Sequence, residues 1–177
     1  VKYKTTTIIC CIATILLCIS CKADSTTYNQ AIATDNQAEL KTQGQQLPYY
    51  EAELAGHKLE LMLARTYSQR STGLMFYENL PEKNGMLFVY SSPRIMSFWM
   101  YNTKISLDLI FFSGDLLVTE WVKSMEPGYG KSPSELPRYV SEKPAQYALE
   151  LKAGSIEELG ISIGDRLDIP ITLLYSD

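Results

Sequence analysis

The sequence predicts a mostly β domain, α+β by strict count, folded as a compact antiparallel barrel or sandwich with two short helices. Three observations lead there. Short aromatic and aliphatic runs recur from Tyr49 to Leu173, turn signals rich in Gly, Pro, Ser and Asp separate them, and helix signals are confined to a pair of capping boxes. Many short strands with few helices bury their apolar faces best by curling into a barrel or stacking as a sandwich.

The elements follow in chain order. Tyr49–Leu54 and Lys58–Leu63 flank Ala55–Gly56 and read as a hairpin. Thr66 with Gln69 makes a capping box, and Gly73 suits the end of that helix. Gly85–Tyr90, Ser97–Tyr101 and Ile105–Phe112 have the aromatic and β-branched content of strands. Ser113–Gly114–Asp115 turns the last of these into Leu116–Lys123. A loop rich in Pro, Gly and Ser runs from Glu126 to Pro137 and leads to a strand at Gln146–Leu151. Ser155 with Glu158 forms a second capping box, closed by Gly160. Arg166–Leu173 reads as a final strand, which Pro170 assigns to an edge or a bulge. Gly164–Asp165 is turn chemistry at its entry.

Ahead of this domain lies a segment of different character. Lys2 and Lys4 precede an apolar run from Ile8 to Ile19, then Ser20–Cys21, the layout of a secretory signal. The run is shorter than the roughly 20 residues a membrane-spanning helix needs. Ser20–Cys21 resembles the lipobox of bacterial lipoproteins, although Cys18 stands where that box usually has Leu. The resemblance implies lipidation at Cys21 and export to a cell-envelope membrane, with the domain outside the cytoplasm. Residues 22–46 are mostly Thr, Asn, Gln and Ala and read as a polar tether. The expected organisation is therefore a signal at 1–20, a lipidated cysteine and tether at 21–46, and a single domain at 47–177.

Composition narrows the chemistry. The four cysteines are Cys10, Cys11, Cys18 and Cys21, so residues 47–177 contain no thiol for a disulfide, a nucleophile or a zinc site. His57 is the single histidine and follows the Ala55–Gly56 turn, which leaves no set of imidazole ligands for zinc. No cofactor or metal is expected. Met75, Met86, Met96 and Met100 lack a regular Met-x-x-Met array and read as core filling ahead of a Cu(I) site. With 16 basic and 20 acidic residues and no basic block, nucleic acid is not an expected partner. Attachment to a membrane rests on the lipid anchor.

The densest patterns are Gly73–Leu74–Met75, Gly85–Met86–Leu87–Phe88, Phe98–Trp99–Met100–Tyr101–Asn102–Thr103 and Leu107–Asp108–Leu109–Ile110–Phe111–Phe112. Leu149–Glu150–Leu151–Lys152–Ala153–Gly154 and the pairs Gly160–Ile161 and Gly164–Asp165 follow. In this order and spacing they resemble the prokaryotic domain of unknown function 192 family, from about Leu59 to Ile169. The resemblance implies a small, mostly β domain and no established reaction. The chain departs from the family pattern at Tyr77 and Tyr101, where relatives often carry Arg and Lys, and at Ser106, where they carry Pro. The resemblance implies that any ligand held by those cations is bound differently here.

Four residues in these patterns are candidates for function. Asp108 lies in an apolar strand, where an unpaired carboxylate is costly. It reaches solvent at an edge, pairs with Arg65, Arg70 or Arg94, or faces a ligand cavity. Trp99 with Asn102 suits stacking on a sugar or other flat ligand beside an orienting hydrogen bond; the alternatives are a core tryptophan and a plain turn. Glu150 alternates with Leu149 and Leu151 as a solvent-facing residue does, and paired with Asp108 it would suit acid–base hydrolysis. The leading expectation is non-catalytic binding of a small molecule or glycan through Trp99, Asn102 and Asp108. A hydrolase using Asp108 and Glu150, and an accessory protein that binds another envelope protein, are the alternatives.

Overall fold

A computed structural model describes residues 44–175. The expected signal, Cys21 and the expected tether up to residue 43 lie outside the described residues.

Among the described residues eight strands form in chain order: β1 (Tyr49–Leu54), β2 (His57–Ala64), β3 (Asn84–Arg94), β4 (Ser97–Phe98), β5 (Leu107–Phe112), β6 (Val118–Met125), β7 (Tyr139–Val140) and β8 (Ala145–Lys152). Three short α-helices accompany them among the described residues: α1 (Tyr67–Thr72), α2 (Ser155–Glu158) and α3 (Ile171–Tyr175). Six strands make one sheet in the order β1-β2-β3-β8-β5-β6, and β4 pairs with β7 beside it. β1 and β6 are its two edges, so the sheet is not a closed barrel and the fold is sandwich-like. The mostly β expectation holds, with one correction to its antiparallel form. β2 and β3 run parallel, from Glu60 opposite Asn84 to Ala64 opposite Phe88. A parallel pair needs a crossover rather than a hairpin, and α1 lies in that crossover.

Both faces of the sheet are covered. On one, Leu61, Leu87, Ile110 and Leu149 pack against Ile156, Leu159, Ile161 and Leu167. On the other, Met86, Phe88, Leu109 and Phe111 meet Leu74, Met96, Phe98 and Met100. β8 lies at the centre, and each residue from Ala145 to Leu151 is buried. That overturns the reading of Glu150 as solvent-facing, because alternation marks a wet face only where one face of the sheet is open.

The C-terminal segment also differs from expectation. Arg166–Leu173 forms no strand; Asp168 bridges Glu53 of β1, and Arg166 bridges Leu117 just before β6. The segment spans from one sheet edge toward the other, which leaves isolated bridges in place of a ladder. Pro170 then precedes α3 and accepts a bond from the Leu173 amide. At α1 the capping box forms as read, with Gln69 N donating to Thr66 Oγ1 at 3.2 Å and Thr66 N donating to Gln69 Oε1 at 2.9 Å. At α2 it does not: Gly154, with φ of 93°, takes the cap position and Ser155 is already helical.

The domain begins before Leu47. Gln45, assigned to the tether by its polar neighbours, is buried, and its amide donates to the carbonyls of Gln69 and Gly73 at 2.9 Å each. Tyr77 OH donates to the Gln45 carbonyl. Among the described residues no helix is long and apolar enough to cross a membrane.

Candidate functional site

Phe98 and Met100 point into the core. Phe98 packs edge-on against Phe88 and Phe111, with ring centroids 5.0 and 5.9 Å apart. Side chains alternate along an extended segment, so Trp99 and Tyr101 are left on the other side, half-buried. Their rings stack at 5.0 Å with 26° between planes. The antiparallel register that sets Phe98 opposite Tyr139 brings Arg138 to Trp99. The Arg138 guanidinium lies 4.0 Å from the centre of the Trp99 ring. Trp99 is therefore half-buried against a guanidinium and a phenol ring and is not core.

A second aromatic platform stands nearby. Arg70 and Arg94 lie 4.5 and 4.9 Å from the centre of the Tyr90 ring. Arg70 sits at the end of capped α1, and its Nη1 donates to the Val89 carbonyl at 3.0 Å and to the Arg65 carbonyl. Between these platforms is a cavity of about 520 Å³ whose walls include Arg70, Tyr90, Arg94, Trp99, Tyr101 and Arg138. Its size falls within the roughly 300–1,000 Å³ of small-ligand pockets.

Glu150 is part of the cavity lining. It pairs with Met86 of β3 on one side and Leu109 of β5 on the other, so its carboxyl rises from the sheet between apolar neighbours. The residue is 4% exposed. Its carboxyl makes no hydrogen bond and no ion pair among the described residues, where the ion pairs are Lys104–Glu78 and Lys123–Glu157. Among the described residues no fully covered side-chain oxygen or nitrogen lacks a partner, so the Glu150 oxygens are not fully covered. Burial alone pushes this carboxyl up to about 8. It is mostly protonated at neutral pH. Gly85 permits the close strand approach at this point, since a Cβ there would lie 2.6 Å from the Glu150 carbonyl.

Asp108 has a different environment. It is 1% exposed, and neither an arginine nor the cavity accounts for that. One oxygen accepts from Ser124 N at 2.8 Å, and the other accepts from Gly154 N and Ile156 N at 3.0 Å each. These bonds tie β5 to the end of β6 and to the start of α2. The edge, arginine-pair and cavity readings all give way to this fourth one, in which backbone N–H groups satisfy the carboxylate. Asp108 faces Leu151 in register and Leu109 faces Glu150, so the two carboxyls project from opposite faces of the sheet. Geometry rules out their joint work as acid and base in one cleft.

Asn102 sits in a turn with φ of 54°, its carbonyl accepting from Phe76 N at 2.9 Å, and it does not line the cavity. The structure thus joins Trp99 with Glu150 and separates both from Asn102 and Asp108. Sequence reasoning missed Arg138, whose signal was its position just before Tyr139, and weighed Arg70 and Arg94 only as counter-ions for Asp108. Met86, Met96 and Met100 are core, while Met75 lines the cavity. Among the described residues no three His, Cys, Asp or Glu side chains gather as a metal site would need.

The sequence profile of the domain of unknown function 192 family, described as "Uncharacterized ACR", matches residues 50–169. Among curated proteins none matches the chain. The chain is similar to a crystal structure from Sinorhizobium meliloti 1021 described as a proposed transcription regulator, at 32% identity. That match covers 70% of this chain and 97% of the other, with a TM-score of 0.61. A protein of unknown function from Novosphingobium aromaticivorans DSM 12444 is similar at 31% identity, over 70% of this chain and 86% of the other, with a TM-score of 0.62.

Proposed function

The chain belongs to the domain of unknown function 192 family, and we propose that it is a binding protein for a small, ring-bearing ligand, without catalysis. The observation that carries this reading is the Trp99–Tyr101 stack beside an unpartnered carboxyl, Glu150, in a cavity of about 520 Å³. Aromatic faces bind the flat side of a sugar or an aromatic ring, and a buried polar group orients it. A glycan fragment and an aromatic small molecule both meet that description. Unlike the expectation from sequence, the proposed site is centred on Trp99, Tyr101 and Glu150, with Asn102 and Asp108 outside it.

The proposal extends to location. The run Ile8–Ile19 followed by Ser20–Cys21 supports an exported, lipid-anchored protein whose domain stands outside the cytoplasm. Membrane association would then come from the acyl chains on Cys21. The Sinorhizobium relative's description as a regulator does not favour nucleic acid here, because 16 basic residues stand against 20 acidic ones and no basic block occurs.

Thermal shift against a panel of monosaccharides, sugar acids, amino sugars and aromatic amino acids tests the binding reading. A binder should raise the melting temperature of the native protein and leave that of Trp99→Ala unchanged. Equal shifts in both proteins would place binding elsewhere and remove the basis of the proposal.

A further inference from the structure

The cavity's ionisable groups do not pair with one another. Among the described residues Glu150 forms no ion pair, and neither do Arg94 and Arg138. Both arginines are exposed. Their guanidiniums lie over the Tyr90 and Trp99 rings, and among the described residues neither donates a side-chain hydrogen bond, so their N–H edges are unspent. Those edges suit the paired oxygens of a carboxylate or phosphate. The site therefore has a cationic mouth, an aromatic wall and an acidic floor.

A purely anionic ligand would engage Glu150 only as a neutral hydrogen-bond donor, and a purely cationic one would be opposed by the arginines. A neutral ring would use the wall alone. Charge complementarity selects a molecule that carries both signs. Resting on the binding reading above, we propose that the site takes a ring-bearing zwitterion, with its anionic group on Arg94 and Arg138, its ring against Trp99 and Tyr101, and its ammonium on Glu150. An amino sugar acid and an aromatic amino acid share this chemistry.

The seat on Glu150 has a proton consequence. Burial keeps the empty carboxyl mostly protonated at neutral pH. Seating an ammonium there turns Glu150 COOH into a carboxylate paired with the ammonium and releases one proton to solvent. The other titratable or charged groups facing the cavity are Tyr67, Arg70, Tyr90, Arg94, Tyr101 and Arg138. None of these is a carboxyl or an imidazole, so a proton lost near neutral pH on binding is that of Glu150.

Calorimetric titration of the protein with a charge-varied probe set tests the proposal. Muramic acid carries amine and carboxylate, glucosamine the amine, glucuronic acid the carboxylate and glucose neither; tyrosine supplies the aromatic zwitterion. Muramic acid or tyrosine should bind at least about tenfold more tightly than each singly charged or neutral probe. Whichever of the two binds identifies the source as sugar acid or amino acid. Repeating the titration at neutral pH in buffers of different ionisation enthalpy should show release of about one proton per ligand. Glu150→Gln, which keeps shape and hydrogen bonding, should release none. Arg138→Gln, an exposed change, should weaken the zwitterion by a larger factor than it weakens glucosamine. If glucose or glucosamine binds as tightly as the zwitterions and Trp99→Ala abolishes it, the charge assignment falls while the binding site stands. If a zwitterion binds without proton release, the seat on Glu150 is wrong. If no probe binds, the zwitterion proposal is overturned and the ring-binding reading falls with it.

Discussion

Glu150→Gln replaces a carboxyl that burial holds at about 8 with an amide that is neutral at every pH. Between its ordinary 4.5 and about 8, native Glu150 keeps a proton that the unfolded chain has lost. Wild-type stability therefore falls by about 1.4 kcal/mol per pH unit across that window. The contribution is complete below pH 4.5 and is lost as the pH rises through about 8. Its full size is about 5 kcal/mol, an upper figure because the Glu150 oxygens are not fully covered. The glutamine variant lacks this dependence, and every other titrating group is common to both proteins. Urea unfolding of the two should give similar stabilities near pH 4.5, with the variant pulling ahead by about 3–5 kcal/mol near pH 8.5. Curves that stay parallel across the range would refute the buried, unpartnered carboxyl.

Asp108→Ala should cost about 3 kcal/mol or more in urea unfolding, because the amides of Ser124, Gly154 and Ile156 lose their acceptor. Asp108→Asn should cost less, and neither change should alter ligand affinity. Gly128→Ala places a Cβ 2.2 Å from the Met100 carbonyl oxygen, beside the Trp99 stack. It should destabilise by about 1–3 kcal/mol and weaken binding, both readable by unfolding and titration. Cys21→Ala should abolish incorporation of a labelled fatty acid, and unchanged labelling would remove the lipid-anchor proposal.

Much of the sheet was legible because strand formation leaves local marks. Tyr49–Leu54 falls on β1 with no shift, and Gln146–Leu151 lies within β8. The parallel β2–β3 pair was not legible, since local alternation does not say which strand lies beside which. Glu150 illustrates the same limit at the site. The Leu–Glu–Leu pattern is that of a half-wet strand, and only the sheet order, with β8 between β3 and β5, makes it central. Asp108 was read as a costly group that reaches an edge, pairs with an arginine or faces a cavity, and it has other partners. Those partners are backbone amides up to 48 residues away, which no side-chain pattern announces. Trp99 was legible as an aromatic candidate, and its outward turn follows from the burial of Phe98 and Met100 on either side.

The chain contains two tryptophans, so a nitrogen–proton correlation spectrum carries two indole signals, those of Trp99 and Trp121. Trp121 lies on β6 and packs with the core on the opposite face of the sheet from Glu150. Adding a ligand identified by thermal shift should move the Trp99 indole signal in a saturable way and leave that of Trp121 in place. Movement of the Trp121 signal alone, or no movement of either at saturating ligand, would contradict the assignment of this cavity as the binding site.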